Sequence, residues 1–422
     1  MYMNRVIFFI FFAGMSFFSM AQEFELSGDF RFRPEYRNGY KQLPDSNTEA
    51  AGFVAQRNRI GLNYTSEKFE TKLILQESRV WGDELFKSNK ATVGMLEAWV
   101  RMKIADSLKI KMGRHQLVFG NQRLFSGNNW SQTSQEHDAV MLEWKSGTKQ
   151  VYFVQAFNQR AENIFGTDYL NNVSEIKDNY KTLTVLRYEQ KIKNFEYSVM
   201  GFADGFQDLN GKALYVRSTQ GVELKYTLNK FIFSGMGYYQ TGHNISGTEL
   251  AAWFAASEAE YKTDKWSVKL GGEMMSGNDV TTDKYEQFIP QYASNHAFAG
   301  HMDYFTNFAT STGGAGFIDT YLKGHFKFSK IHSLALDYHY FATQQSTITG
   351  GANIDQFLAH EIDLTWKAAL AKDMVLSVGY SVFSGSTTLE LLRGGDHTKL
   401  AHWAYVMLEF KPKFLKYVFE KK

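Results

Sequence analysis

Between Phe24 and Tyr36 the chain alternates. Leu26, Phe30, Phe32 and Tyr36 fall on one parity, and Glu25, Ser27, Asp29, Arg31, Arg33 and Glu35 on the other. A period of two places the two sets on opposite faces of a β-strand. One face is apolar and aromatic; the other is crowded with charge. The same pattern returns to the end of the chain. Ile362, Leu364, Trp366, Ala368 and Leu370 alternate with Glu361, Asp363, Thr365 and Lys367. Trp266, Val268, Leu270 and Met274 alternate with Ser267, Lys269 and Glu273, and Leu322, Phe326 and Phe328 with Lys323, His325 and Lys327. Leu376, Val378, Tyr380 and Val382 alternate with Val375, Ser377, Gly379 and Ser381. Leu183–Glu189 and Phe231–Tyr239 mix the two classes, and no face is assigned there.

The links between these strands alternate as well. Short ones fall at Thr65–Phe69, Ala105–Asp106, Ser146–Thr148, Lys193–Asn194, Asn229–Lys230, Thr263–Lys265, Ser329–Lys330 and Lys372–Asp373. Long polar ones lie between them: Asn38–Gly52, Gly82–Ala91, Gly120–Gln135, Asn158–Asp178 and Gln207–Lys212, then Gly242–Gly247, Gly277–Gly314, Thr343–Gln356 and Gly385–Leu400. Strands of roughly 10 residues joined by short turns on one side and long loops on the other predict an outer-membrane barrel. The expected fold is all-β: a transmembrane, antiparallel up-and-down barrel of about eighteen strands. An even number puts both termini in the periplasm. The last strand is expected over His402–Phe410, with Pro412–Lys422 as a short basic periplasmic tail. Tyr64, Trp81, Trp99, Trp144, Tyr188, Tyr226, Tyr261 and Trp366, near strand ends, fit interfacial aromatic girdles.

The N-terminus agrees with export. Met1–Arg5 is short and basic, Val6–Phe18 is almost wholly apolar, and Ser19-Met20-Ala21 supplies small residues. This predicts a signal peptide over residues 1–21, cut before Gln22, and a single barrel over 22–422. The apolar run is shorter than the about 20 residues a spanning helix needs. Prolines number only 4 in 422 residues, and no linker divides the chain. Aromatic residues are abundant although the mean hydropathy is −0.35, as suits a wall with one lipid face and one wet face. There are no cysteines, hence no disulfides or thiolate metal sites. A formal charge of +2, one unit of it from Arg5, is far too small to imply nucleic acid or a polyanion-coated surface by bulk charge alone. The expected surroundings are outer-membrane lipid, with periplasmic export or assembly proteins as further partners.

A barrel of sixteen to eighteen strands encloses an aqueous channel, so function is expected in the lumen lining and loops. Arginines recur on the presumed inner parity: Arg31, Arg33, Arg57, Arg59 and Arg79, with Arg101 and Arg114 continuing the series. Asp29, Glu35, Glu77 and Glu97 are interleaved. Guanidinium forks match carboxylates, and rings of basic side chains favour anions in pores. The plainer alternative is that each arginine pairs with an acidic neighbour to hold the wall.

Several runs resemble the alginate export family: Phe30-Arg31-Phe32-Arg33-Pro34-Glu35-Tyr36-Arg37, Gln56-Arg57-Asn58-Arg59 and Gln76-Glu77-Ser78-Arg79-Val80-Trp81-Gly82. Glu97-Ala98-Trp99, Gly113-Arg114-His115-Gln116, Gln122-Arg123-Leu124-Phe125 and Asp138 extend the likeness over the first third. Glu77 stands where the family more often has Asp, and His115 interrupts a usual Gly-Arg-Gln. The resemblance implies an outer-membrane barrel passing the polyuronate alginate through a basic lumen. It also implies that Arg31, Arg33, Arg57, Arg59, Arg79, Arg114 and Arg123 line the conduit.

Other chemistry is thin. Asp204-Gly-Phe-Gln-Asp208-Leu-Asn210-Gly211 offers oxygen ligands of the kind Ca²⁺ takes, but lacks EF-hand spacing and a closing Glu. A solvated turn is the preferred reading, and no cofactor is expected. Ser134, His137 and Asp138 suggest a hydrolase, but neighbours in a strand point to opposite faces, which is poor geometry for a triad. The expectation is therefore a passive channel for anionic solutes, an alginate-like polysaccharide first. A general or specific porin for small solutes is the alternative, and a barrel hydrolase the more distant one.

Overall fold

A computed structural model describes residues 22–83, 93–170, 179–208, 210–211 and 213–419. The expected signal peptide lies outside the described residues, as do residues 84–92 and 171–178 of two long loops. The wall begins with β1 (Gln22–Asn38), β2 (Ala51–Thr65), β3 (Phe69–Val80), β4 (Gly94–Ala105), β5 (Leu108–His115) and β6 (His137–Ser146). It continues through β7 (Lys149–Phe157), β8 (Thr182–Ile192), β9 (Phe195–Gln207), β10 (Leu214–Leu228), β11 (Phe231–His243) and β12 (Glu249–Lys262). It ends with β13 (Trp266–Met275), β14 (Phe317–Lys327), β15 (His332–Ala342), β16 (Phe357–Ala371), β17 (Met374–Gly385) and β18 (Ala401–Phe410). Each strand pairs antiparallel with its successor, and β1 also pairs with β18, Phe30 opposite Phe410. The sheet is closed, as the alternation predicts, and no edge is left along this seam.

The expected tail is different. Beyond Lys411 and Pro412, β19 (Lys413–Phe419) runs on along β1, with Leu415 opposite Leu26 and Tyr417 opposite Phe24. Proline has no N–H to give to the ladder, so it interrupts the strand without ending it. Phe414, Leu415, Tyr417, Val418 and Phe419 then make a second apolar run that the basic character of the segment had masked. β18 and β19 together fill one position in an eighteen-strand wall.

Inside and outside follow from register, because directly opposed residues on neighbouring strands share a face. Ile60 opposes Leu75, and Val140 follows on the same outward face; all three are exposed. Trp99 of the expected girdle faces inward instead, giving its indole N–H to Glu97 at 2.7 Å. At Gly113 the backbone has φ +117°, and a Cβ there would lie 2.2 Å from the Ala98 carbonyl oxygen. Only glycine fits this position against β4.

Two long loops fold into the barrel. They are the β5–β6 loop (116–136) and the β13–β14 loop (276–316), which contains a 3-10 turn at Asn295–Ala297 and α1 (Phe308–Ser311). Tyr304 stacks on Phe383 at 3.7 Å, and Phe305 lies 4.7 Å from Phe341 and 4.9 Å from Phe317. Phe125 lies 5.0 Å from Phe202 and 5.1 Å from Tyr292. The two loops meet each other where Ser126 N–H donates to the Tyr292 carbonyl at 3.0 Å. Inward positions such as Val154, Val185, Phe202 and Phe341 are apolar because loop residues, not water, cover them. On the same side α2 (Thr387–Arg393), capped by Ser386 Oγ accepting from Leu389 N–H, lies in the β17–β18 loop.

Candidate functional site

β1 and β2 aim Arg31, Arg33, Arg57 and Arg59 at the lumen, since Arg31 opposes Arg57 and Arg33 opposes Ala55. All four are buried, at 1–8 % exposure, beneath the β5–β6 loop. Glu35 accepts from Arg33 Nε at 2.7 Å, from Arg37 Nη2 at 2.8 Å and from Trp403 Nε1 at 3.0 Å. Asp29 accepts from Arg57 Nη2 at 3.2 Å and lies 3.9 Å from Arg59 Nη1. Four guanidinium groups, those of Arg33, Arg37, Arg57 and Arg59, thus share two carboxylates, and Arg31 donates to the loop instead. Glu409, opposite Arg31 on β18, is bonded to Lys411 at 2.9 Å. Most of the other arginine donors go to loop residues 129–134, while Arg59 Nε donates to Gln76 Oε1 of β3 at 2.7 Å. Trp130 of that loop lies under the Arg33 guanidinium, 4.4 Å from its ring centre, and stacks on His296 at 4.4 Å.

Other expected lining residues are placed elsewhere. Arg101 faces inward but lower on the wall, ion-paired with Glu70 and 3.5 Å from Glu143. Arg123 belongs to the β5–β6 loop and makes a two-pronged ion pair with Glu273 of β13, at 2.9 and 2.6 Å. Glu77, Arg79 and Arg114 face outward, a correction to the inner parity assumed for them. Glu77 opposes Asn58, which lies between Arg57 and Arg59 on the other face, and it bonds Arg79. Arg114 opposes Asp138 and pairs with it at 3.0 Å. The misplacement arises because strand-to-strand register, unlike parity within a strand, cannot be counted across a loop.

Below the two loops, toward the short turns, lies a cavity of about 660 Å³. Its roof includes Gly120, Arg123 and Phe298, and its walls carry ion pairs. Arg187 joins Glu223 at 2.8 Å, Lys269 joins Glu258 at 3.1 Å, and Lys191 joins Glu196 at 2.8 Å. Arg187, inward on β8, was passed over in the sequence because β8 mixes apolar and charged residues on its inner face; Arg217 faces inward from β10, opposite Asp204.

The β13–β14 loop is held by its own polar chain. His296 Nδ1 is 2.7 Å from Asp303, whose other oxygen accepts from Tyr40 of the β1–β2 loop. Burial opposes the Asp303 carboxylate, but the contacts with His296 and Tyr40 outweigh it and hold the pKa below the usual value. Burial, with a lesser push from Glu97, raises the pKa of the Glu136 carboxyl of the β5–β6 loop. Ser134, His137 and Asp138 do not converge: Ser134 Oγ accepts from Arg59, His137 bonds Tyr180 at 2.8 Å, and Asp138 faces outward. The acid expected to begin a Ca²⁺ loop, Asp204, lies in β9 and bonds Arg217 Nε at 3.0 Å and Tyr292 at 2.7 Å. Glu390, Asp396 and His397 are the one group among the described residues whose ligand atoms lie within 4.8 Å of one another.

The family model described as alginate export matches residues 23–390. The chain belongs to the alginate export family. No curated protein matches it in sequence. Among solved structures it is similar to OccAB1 of Acinetobacter baumannii, with TM-score 0.63 and 14 % identity over 93 % of this chain and 97 % of that one. It is similar also to OccK9 of Pseudomonas aeruginosa, with TM-score 0.64 and 13 % identity over 92 % and 98 %. A third is OpdK of Pseudomonas aeruginosa, solved with vanillate, with TM-score 0.58 and 8 % identity over 93 % and 99 %. These identities speak for the fold alone: an eighteen-strand outer-membrane porin barrel. With its family, this makes the chain an outer-membrane channel. The alginate export match reaches past the arginine arc through most of the barrel, far beyond the motifs legible in the first third.

Proposed function

We propose that this alginate export family channel passes an anionic solute, with an alginate-like polyuronate as its best single substrate. The observation that supports this is the excess of Arg31, Arg33, Arg37, Arg57 and Arg59 over the acids near them, Asp29 and Glu35 in contact and Glu409 and Glu136 farther off. Lumen charges lie within a Debye length, about 8 Å at physiological salt, of any ion passing them. They therefore act on a solute even though the net charge of the chain is small. In this reading both termini and the short turns face the periplasm and the long loops face outward. Export or assembly proteins of the periplasm would meet the short-turn rim. The cavity below the loops, about 660 Å³, favours a second reading in which the solute is a small anion.

The test is the reversal potential in a KCl gradient across a planar bilayer. The native channel is expected to prefer anions. Replacing Arg31, Arg33, Arg57 and Arg59 together with Ser should reduce or reverse that preference. Cation selectivity in the native protein, or an unchanged potential in the fourfold variant, would reduce these arginines to wall ties. Slower passage of oligouronates than of chloride-sized anions by many orders would favour the small-anion reading.

A further inference from the structure

The arginine cluster donates mainly to oxygens that carry no charge. Arg31 reaches the carbonyls of Asn129 and Ser131, each at 2.8 Å, and Gln132 Oε1 at 2.5 Å. Arg57 Nη1 reaches the same two carbonyls at 2.9 and 3.2 Å. Arg33 donates to the Trp130 carbonyl at 3.0 Å, and Arg59 to Asn129 Oδ1 at 3.0 Å and Ser134 Oγ at 2.6 Å. Two carbonyls therefore bridge two guanidinium groups each, a role usually taken by carboxylate oxygens. Arg31 Nε and Arg57 Nε have no hydrogen-bond partner, although both residues are buried.

A buried guanidinium is costly unless a charge answers it, and a carboxylate adds ion-pair attraction and two-pronged geometry to the bonds a neutral carbonyl accepts. A site built only to hold the loop would be better served by acids against Arg31 and Arg57, yet the loop's one acid, Glu136, accepts from Gln116 at 3.3 Å and bonds neither of them. We infer that residues 129–134 are a removable neutral stand-in for the solute's carboxylates at Arg31, Arg57 and Arg59. This inference rests on the anionic-solute reading above. A carboxylate that displaces the Asn129 and Ser131 carbonyls exchanges dipole for charge on the same donors. It thereby stabilises the state in which the loop has left the wall, and a ligand shifts an equilibrium only by such differential binding. A neutral sugar gains nothing there. The anion that is to pass is the agent that opens the path.

The chain has no cysteine, so one placed in the loop can be labelled uniquely. Ser126, 3 % exposed and bonded to the second loop, is covered while the loops are closed. In Ser126→Cys protein reconstituted in liposomes, a neutral thiol reagent should react at least tenfold faster when oligouronate is added. A neutral oligosaccharide of equal length should leave the rate unchanged. Adding Arg31→Ser, Arg57→Ser and Arg59→Ser should raise the basal rate and abolish the response to uronate. Equal acceleration by the neutral sugar, or none by uronate, overturns the inference. If that happens while the reversal potential still shows anion preference, the functional reading survives and the stand-in role fails. Should the Ser126→Cys protein not assemble, the uronate-dependent change in Trp130 emission, taken by difference from Trp130→Phe, gives the same answer.

Discussion

Arg123→Ala should release both lumen loops and leave the wall intact. Arg123 reaches from one loop to Glu273 of β13 and, through Nη1, to Asn295 of the other loop at 2.8 Å. Its guanidinium also lies 4.7 Å from the Phe298 ring centre. Without it, Glu273, 6 % exposed and opposite the buried Asp319, keeps its burial and loses its cation. Breaking one side of a buried ion pair costs about 3–5 kcal/mol. The lower figure already changes the closed-to-open ratio by about a hundredfold. Replacing both members by apolar residues of similar size is often neutral, so Arg123→Leu with Glu273→Leu should return most of the closure. Chymotrypsin reports the difference, because Leu124 and Phe125 are at most 3 % exposed and can be cut only when the loop leaves the wall. Heat-modifiable migration on a gel reports that the barrel itself is intact. Nicking of Arg123→Ala at the native rate would refute the idea that this pair holds the loops. A double variant as open as the single one would refute the buried-charge argument specifically.

Acidification should loosen the second loop. Burial, with a lesser push from His296, depresses the His301 pKa against the opposing pull of Asp363. The closed loop therefore takes up a proton here less readily than a released loop, which titrates near 6.5. Closure is fully stable above about 6.5 and weakens below it, by at most about 1.4 kcal/mol per pH unit. Openings in bilayer recordings should be more frequent at pH 5.5 than at 7.5, and His301→Gln should flatten the dependence. On intact cells, added protease should cut near Ile164 and Phe165, which are 89 % and 91 % exposed, and spare residues 295–316, which pack inside the lumen. Cleavage at 263–265 instead would mean that the barrel stands the other way up.

The barrel was legible because its outward face answers to one solvent. Lipid demands an apolar residue at every second position, so Ile362, Leu364 and Trp366 announce their strand without help from any contact. The inner face answers to whatever fills it. Where that is water the residues are charged, as at Lys269 and Lys323. Where it is a folded loop they are apolar, as at Val185 and Phe202, and the alternation blurs. The inward fold of residues 276–316 leaves no periodic mark, because its contacts are with strands far away in sequence. Arg31, Arg33, Arg57 and Arg59 could be placed together because β1 and β2 each carry their own unbroken parity. Arg79 and Arg114 were misplaced because nothing within β3 or β5 states which parity faces in. β19 was missed through Pro412, which reads as an end although the apolar run resumes beyond it.

The seam between β1 and β18–β19 has a consequence for biogenesis. It joins the first strand to the last, Phe30 to Phe410 and Phe24 to Tyr417. Contacts this distant in sequence carry a large loop-closure entropy, and topologies built on them form slowly. Until the final residues arrive, both seam strands are open edges with aromatic faces, the kind of surface that recruits other chains. These edges stay unpaired from the time β1 emerges until β19 pairs with it. Loss of the last ten residues would leave Gln22–Ser27 with an unpaired edge. The expected phenotype is degradation or aggregation before insertion, well upstream of any change in what the channel conducts.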